Sequence, residues 1–215
     1  MNILVVAATS IEIKPFLQFI KAKKRPPDID ILITGIGLTA ATYSLIKQFA
    51  IKKPRLVIQA GVAGCFDLSL PLGEVIIVKQ DTIADQSVVE LKKLKTLFNL
   101  KLVPQNQYPY KNGWLINPHK KFLQLSGLKQ VKGISVNQIS TSKEMIKFYR
   151  ETFNPVTESM EGAALHYVCL MENIPFIQFR SISNYICERN KKKWDMQDSI
   201  INLNNELIKL IEKII

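Results

Sequence analysis

Polar residues suited to binding a small molecule follow several short apolar runs of the sequence. Glu12 comes soon after the first run, and Asn184 comes after the run that begins at Phe176. Glu161 lies between a methionine and a glycine, where an apolar helix is predicted to begin. A carboxylate accepts hydrogen bonds, whereas an asparagine amide both donates and accepts them. These residue types therefore suit the recognition of a polar ligand.

Both glutamates also have a purely structural interpretation. Glu161 would favour the positive end of a helix that Ser159 caps, an effect of about 0.3–1 kcal/mol. Glu12 would be a solvated residue in the first turn of the helix that carries Phe16 and Ile20. The residue types alone leave these interpretations open.

Six apolar runs predict the strands of a sheet, and several are apolar on both faces, as in a sheet covered by helices on each side. They are Ile3–Ala8, Asp30–Thr34, Leu56–Ala60, Glu74–Lys79, Val131–Val136 and Phe176–Ile182. Helical spacing predicts helices at Thr39–Ile51, at Met160–Asn173 and from Ile200 to Ile214. The stretch from Thr82 to Pro118 is predicted to be an excursion over the sheet. The pattern indicates an α/β fold in one domain, residues 1–215.

The candidate polar residues and the glycine loops lie at the predicted carboxyl ends of strands. Besides Glu12 and Asn184, these positions hold Asn137, the GIG loop (Gly35, Gly37) and the GVAG loop from Gly61 to Gly64. In open α/β sheets the carboxyl ends line the crevice where ligands bind, so we expect these residues to share one pocket. Neither loop matches a dinucleotide or Walker motif, and both loops are open to a structural role as tight turns.

Composition restricts the cellular setting and the cofactors. The chain has 215 residues, 47% of them hydrophobic, and its apolar run ILVVAA is too short for a signal peptide or a membrane span. We therefore expect a cytoplasmic protein that does not enter membranes. The three cysteines, Cys65, Cys169 and Cys187, lack metal-ligand spacing and are expected to be reduced thiols. His119 and His166 have no ligand partners at suitable spacing, so no metal site and no cofactor are predicted.

A net charge of +11 raises nucleic-acid binding as a rival function. Of the 29 basic residues five are arginines, and the lysines are spread along the chain rather than focused with aromatic residues on one element. The runs KAKKR and KKK have the charge to contact phosphates, but such runs in enzymes are usually solvated surface. The pattern therefore predicts no nucleic-acid partner, and a nucleic-acid binder or nucleoside sensor stays as the non-enzymatic alternative.

Three segments carry a resemblance to a known family. The segments VTESMEGAAL (Val156–Leu165), IPFIQFRSISN (Ile174–Asn184) and QAGVAG (Gln59–Gly64) resemble the nucleoside phosphorylase and nucleosidase family, which includes the methylthioadenosine/S-adenosylhomocysteine nucleosidases. The stretch SISNYICERNKKKW is similar to the futalosine hydrolases of that family, with Asn184, Arg189 and Trp194 at matching positions. The resemblance implies a three-layer α/β/α fold with a central mixed sheet. It also implies a homodimer or larger homo-oligomer.

The resemblance implies roles for the candidate residues in cleaving an N-glycosidic bond. Glu12 matches the glutamate that activates water, Met160 would pack against the sugar, and Glu161 would accept hydrogen bonds from adjacent sugar hydroxyls. Ala63 and Gly64 would form a backbone wall of the pocket. Asn137 is a further candidate substrate-binding residue, from its place after a strand.

Asn184 replaces the aspartate that protonates adenine in the adenosine-type nucleosidases. Its amide can donate to N7 or O6 while its oxygen accepts from N1–H, a pattern that matches hypoxanthine or guanine. The expected substrate is therefore a 6-oxopurine nucleoside, most specifically futalosine, whose remote benzoate would contact Arg189 and Trp194.

Hydrolysis is favoured over phosphorolysis by the composition of the loops. Phosphorylases of the family hold phosphate with arginines near the glycine loops, and Thr9–Pro15, Gly35–Thr39 and Gly61–Asp67 contain none, with only Lys14 nearby. An inosine or guanosine phosphorylase and an adenosine-type nucleosidase remain the enzymatic alternatives.

Overall fold

Eleven strands and six helices are found in the structure, a computed structural model that describes residues 2–23, 28–186 and 194–214. The strands are β1 (Ile3–Ala7), β2 (Ile29–Ile33), β3 (Leu56–Cys65), β4 (Val75–Asp81), β5 (Ser87–Glu90), β6 (Lys93–Thr96), β7 (Tyr110–Lys111), β8 (Trp114–Ile116), β9 (Gln130–Ser135), β10 (Thr157–Ser159) and β11 (Phe176–Tyr185). The helices are α1 (Lys14–Ala22), α2 (Leu38–Ile51), α3 (Lys120–Leu125), α4 (Lys143–Phe153), α5 (Gly162–Met171) and α6 (Met196–Ile214).

Nine of these strands form one mixed sheet in the order β2-β1-β3-β10-β9-β4-β8-β7, with β11 paired to β3 and to β4. The pairs of β1 with β2 and β3, and of β3 with β11, are parallel, while β10 runs antiparallel to β3. Because β1, β3 and β11 are parallel neighbours, their carboxyl ends lie at one edge of the sheet.

Helices cover both faces of the sheet. Alternate β1 residues Ile3 and Val5 pack with residues of α1 and α6, whereas Leu4 and Val6 pack with residues of α2 and α5. Successive side chains of a strand point to opposite faces, so a strand buried on both sides has to be apolar throughout. This explains the apolar runs and confirms the predicted three-layer α/β/α fold with its central mixed sheet.

The structure corrects three boundaries of the predicted elements. Strands β3 and β11 continue through the polar and glycine-containing segments that were expected to be loops. Helix α5 begins at Gly162 rather than Met160, because residues 157–159 pair with β3 and β9 as strand β10. The predicted excursion after residue 82 forms a separate β5–β6 hairpin, and its β7–β8 hairpin extends the central sheet.

Three further findings concern the described residues alone. None of their helices combines the length and the apolar character needed to cross a membrane. No cluster of three or more histidine, cysteine or acidic side chains suited to a metal ion occurs among them. Cys65 and Cys169 are free and buried, and Cys187 lies outside the described ranges.

Candidate active site

A cavity of about 370 Å³ opens at the carboxyl ends of β1, β3 and β11. This volume lies in the range of small-molecule sites. Seven of the nine candidate site residues line it: Glu12, Ala63, Gly64, Met160, Glu161, Asn184 and Trp194. The topology therefore brings together side chains that are separated by up to about 180 positions in the sequence.

Glu12 is held rigidly at one end of the cavity. It lies in the turn between β1 and α1 and is buried, with 9% of its surface exposed. Its Oε2 accepts hydrogen bonds from the backbone N–H and the hydroxyl of Thr9, both at 3.0 Å, and its Oε1 accepts from the N–H of Val62 at 3.2 Å. Burial and these contacts exclude the interpretation of Glu12 as a solvated helix residue.

Glu161 is fixed by contacts from two other elements. Its Oε1 accepts from the N–H of Gly37 at 3.1 Å, and its Oε2 lies 3.6 Å from Nη2 of Arg180. Although Glu161 is the residue before α5, its side chain makes no capping bond to that helix. Burial raises the pKa of Glu161, and Arg180 and the Gly37 N–H partly oppose this rise. The Glu161 side chain therefore lines the cavity and does not cap helix α5.

Arg180 is a site residue that sequence reasoning missed. Its side chain is 2% exposed, and besides the Glu161 contact it donates to Oε1 of Gln59 at 3.0 Å and to the carbonyl of Val62 at 3.4 Å. A Cβ on Gly61 would lie 2.3 Å from Nη1 of Arg180. The glycine is therefore required for the buried guanidinium to reach this position. The position of an arginine within the apolar run that begins at Phe176 was the feature of the sequence that could have indicated a buried functional charge.

Asn184 lies where β11 has a register shift beside β3. Its Oδ1 accepts from the hydroxyl of Ser183 at 3.0 Å, and its Nδ2 donates to the carbonyl of Tyr185 at 3.3 Å. Nδ2 carries a second proton, which remains for a ligand. A Cβ on Gly64 would lie 3.3 Å from Nδ2, so the glycine keeps this amide accessible from β3.

Glu158 lines the cavity and was also not assigned to the site from the sequence. It is 5% exposed, and its carboxylate accepts from the backbone N–H of Ser140 at 2.9 Å and from the Ser140 hydroxyl. Burial raises the pKa of Glu158, and the Ser140 hydrogen bonds oppose the rise. Strand β10 has only three residues and all of them are polar, so the sequence did not indicate that Glu158 lies in a strand at the cavity.

One of the two remaining candidates does not line the cavity. Asn137 is exposed and lines a neighbouring cavity, where its N–H donates to a carboxylate oxygen of Asp85. The expectation that it follows a strand holds, but the local turn directs it toward Asp85. Arg189 lies outside the described residues.

A group of buried polar side chains packs behind the first turn of α5. A Cβ on Gly162 would lie 2.2 Å from Oδ2 of Asp81 and 2.3 Å from Nε2 of Gln178. Burial raises the pKa of Asp81 to about 6, although the hydroxyl of Ser135 donates to it at 3.0 Å. Burial lowers the pKa of His166 to about 4, and its Nδ1 lies 2.9 Å from the carbonyl of Leu115.

We expect Asp81→Asn to stabilise the protein at pH 8 by up to about 3 kcal/mol. The pKa of Asp81 is about 6 in the fold and 3.8 in the reference state, so the fold loses stability as pH rises from about 4 to 6. Asparagine has no proton to lose and keeps an acceptor for Ser135. Urea unfolding at pH 4.5 and pH 8 measures the effect, with exposed Asp28→Asn as control. A gain that is equal at both pH values contradicts the argument.

Comparison with known proteins identifies the family. The model of the phosphorylase superfamily matches residues 18–215. The 5'-methylthioadenosine/S-adenosylhomocysteine nucleosidase of Buchnera aphidicola is 27% identical over 199 residues, which cover 90% of this chain and 82% of that protein. The futalosine hydrolase of Thermus thermophilus is 24% identical over 182 residues, which cover 84% of this chain and 80% of that protein.

Solved structures agree on the fold. The futalosine hydrolase of Helicobacter pylori superposes with a TM-score of 0.83 at 20% identity, covering 99% of this chain and 98% of that chain. A nucleosidase from the same organism bound to butyl-thio-DADMe-Immucillin-A gives the same score, identity and coverage. The relatives named here are nucleosidases or hydrolases of nucleosides, and the chain itself belongs to the phosphorylase superfamily.

Proposed function

We propose that the protein hydrolyses the N-glycosidic bond of a 6-oxopurine nucleoside, most specifically futalosine. The products are hypoxanthine and dehypoxanthinyl futalosine, in menaquinone biosynthesis. The observation that carries the proposal is that the Asn184 amide lines the same cavity as two buried carboxylates, Glu12 and Glu161. The amide suits the base, and the carboxylates suit a water and a sugar.

Glu12 is proposed to be the general base. Water attacks the anomeric carbon and transfers a proton to Glu12, while the bond to the purine breaks and its electron pair leaves with the base. The purine anion then takes up a proton from solvent and Glu12 releases its proton to solvent, so neutral hypoxanthine is formed and the base catalyst is restored. Three protein donors hold the Glu12 carboxylate, so it is oriented before substrate binds. Glu161 accepts from the sugar hydroxyls, and its negative charge favours the oxocarbenium-like sugar.

Asn184 is proposed to stabilise the departing base. Its free Nδ2 proton donates to N7 or O6, where negative charge develops as the glycosidic bond breaks. An amide donates a hydrogen bond to N7 but cannot protonate it, and hypoxanthine is a better leaving group than adenine because O6 accepts part of the negative charge. A base that can leave without being protonated at N7 is therefore favoured, and a 6-oxopurine is such a base.

Water is favoured over phosphate as the nucleophile. Among the described residues, the cavity lining contains no lysine or arginine, and the buried Arg180 is already engaged by Glu161, Gln59 and Val62. A phosphate dianion would face Glu12 and Glu161 without a free cation in this lining. Like charges at such close range oppose its binding.

Part of the cavity lining suits an apolar substituent. Trp194, Met196 and Ile200 are among the lining residues. An aromatic ring such as the benzoate of futalosine can pack against these side chains. We propose this wall as the site of the 5′ substituent, and Arg189 as its anion partner.

Incubation with futalosine, inosine and methylthioadenosine, each with and without phosphate, tests the proposed function. We expect hypoxanthine from futalosine without phosphate, and slower release of adenine from methylthioadenosine. Chromatography of the free bases measures both rates. A requirement for phosphate would indicate a phosphorylase, and preferred release of adenine an adenosine-type nucleosidase. A salt-dependent DNA shift without any turnover would support the non-enzymatic alternative.

We expect Asn184→Asp to erode the preference for hypoxanthine about ten- to a hundredfold. The new carboxylate repels O6, accepts from the adenine amino group, and donates to N7 when it is protonated. The ratio of kcat/KM for nucleosides that differ only in the base measures the change. If the ratio is the same in both proteins, Asn184 does not read the purine.

A homodimer or larger assembly is part of the proposal. Ile11 and Ile36 line the cavity yet are 67% and 62% exposed. A second copy of the chain at this rim would shield them from water. Sedimentation equilibrium at micromolar concentration gives the mass, and a monomer would remove this part of the proposal.

A further inference from the structure

We infer that Glu158 determines base specificity by accepting the N1–H of a 6-oxopurine, opposite Asn184. This inference rests on the nucleosidase function proposed above and adds a second residue that reads the purine. It depends on the position of Glu158 in the sheet, on the hydrogen bonds of Asn184 and on the acceptor capacity left on the carboxylate.

Glu158, Gly64 and Asn184 form a row across three adjacent strands. In the register of the sheet, Gly64 of β3 is paired with Glu158 of β10 on one side and with Asn184 of β11 on the other. Cross-strand partners project from the same face of a sheet, and all three residues line the cavity. The two outer backbones are about 10 Å apart, since neighbouring strands are spaced by about 4.8 Å.

The glycine in the middle of the row lets neighbouring side chains pack directly against β3. A Cβ on Gly64 would lie 2.2 Å from Cδ1 of Ile186 and 3.3 Å from Nδ2 of Asn184. The cavity wall between Glu158 and Asn184 therefore includes the Gly64 backbone and the apolar Ile186 side chain. A purine can stack on this apolar surface, with a hydrogen-bonding group at each edge.

The hydrogen bonds of Asn184 leave it one Nδ2 proton and one lone pair of Oδ1 for the base. Its Oδ1 accepts from the Ser183 hydroxyl at 3.0 Å, and its Nδ2 donates one proton to the carbonyl of Tyr185 at 3.3 Å. The remaining Nδ2 proton suits O6 or N7. For N1–H a carboxylate is the stronger acceptor, because a charge-assisted hydrogen bond is stronger than a neutral one, so Glu158 accepts N1–H while the amide donates to O6 or N7.

Glu158 has acceptor capacity to fill this role. Its two described hydrogen bonds both come from Ser140, one to each carboxylate oxygen. A carboxylate has about four lone-pair sites, so two of them remain. The N1 of hypoxanthine or guanine carries a proton, whereas the N1 of adenine presents a lone pair, which the carboxylate repels. Glu158 is thus placed to favour 6-oxopurines and to reject adenine.

A structural role alone would make different predictions. If Glu158 only anchors the backbone of Ser140, its replacement changes stability and affects every nucleoside by the same factor. A residue that hydrogen-bonds to N1 instead changes the ratio of kcat/KM between nucleosides that differ only in the base. The experiment therefore measures ratios, which a general loss of folding or of positioning leaves unchanged.

We expect Glu158→Gln to lower the inosine-to-adenosine ratio of kcat/KM by about ten- to a hundredfold. The glutamine amide can donate to the adenine N1, and the charge that repelled this lone pair is gone. Futalosine and its 6-amino counterpart provide a second pair that differs only in the base. Glu151→Gln makes the same chemical change at an exposed position of α4 and is the control.

The outcomes separate failure of the inference from failure of the proposed function. A parent that prefers inosine, with the ratio unchanged in Glu158→Gln, overturns the inference and leaves the function standing. A parent that prefers adenosine overturns the 6-oxopurine assignment and the inference with it.

Binding of free bases to the unaltered protein keeps the inference testable if the variant does not fold. We expect 1-methylhypoxanthine, which lacks the N1 proton, to bind at least about tenfold more weakly than hypoxanthine in calorimetric titrations. Equal affinities for the two bases would overturn the role of Glu158.

Discussion

Glu12→Gln is expected to lower kcat by about 10²–10⁴-fold while the affinity for the nucleoside stays within a few-fold. The substitution keeps the size of the side chain and removes its ability to take a proton from water. Because the sugar and the base are bound by other residues, the change falls on the chemical step. Such a loss in kcat with little change in binding is typical of a group that acts only in the transition state.

The dependence of hypoxanthine release on the nucleoside concentration gives kcat and the apparent affinity for the nucleoside in both proteins. One oxygen of the Glu12 carboxylate becomes an amino group, which no longer accepts from Thr9 or Val62. Thermal unfolding therefore has to show that the variant is folded at the assay temperature, with Glu151→Gln as a matched control. Near-normal turnover in a folded variant would remove Glu12 from the mechanism.

The fold was predictable because its strands are apolar for a simple physical reason. β1, β3 and β11 are covered by helices on both sides, so their sequences had to be apolar over consecutive positions. The rule that ligands bind at the carboxyl ends of parallel strands then indicated where Glu12 and Asn184 would meet.

The ends of the elements were less predictable because tertiary pairing decides them. The glycines of GVAG look like loop residues, yet the pairing of β3 with β11 extends past them to Cys65. Residues 157–159 are too few and too polar to signal a strand, and they form one because β3 and β9 offer partners on both sides. Glu158 owes its place in the cavity to this short strand.

Arg180 was not assigned to the site because its role depends on a contact distant in sequence. An arginine within an apolar strand is costly to bury, and only the position of Glu161 explains why it is there. The resemblance to the nucleosidases supplied roles for Glu12, Met160 and Glu161, but the sequence did not indicate what neutralises the buried carboxylates.

Arg180→Met is expected to destabilise the protein by about 3–5 kcal/mol and to move the acid limb of the pH–rate profile to higher pH. The side chains of Arg180 and Glu161 are 2% and 7% exposed, so removing the cation leaves a buried carboxylate uncompensated. Arg180 lowers the pKa of Glu161 against the effect of burial, and its loss raises this pKa further. Protonated Glu161 no longer offers two acceptors to the sugar hydroxyls.

A double variant separates the two consequences of losing Arg180. Glu161→Gln in the Arg180→Met background removes the uncompensated charge, so most of the lost stability returns while activity stays low at every pH. Glu161→Gln alone lowers kcat/KM about ten- to a hundredfold, since a charged hydrogen bond contributes about 1.5–3 kcal/mol. Urea unfolding and kcat/KM between pH 5 and 9 measure both effects, and Arg180→Lys is the substitute if Arg180→Met does not fold. An unshifted acid limb in a folded Arg180 variant would show that the ion pair does not control the charge of Glu161.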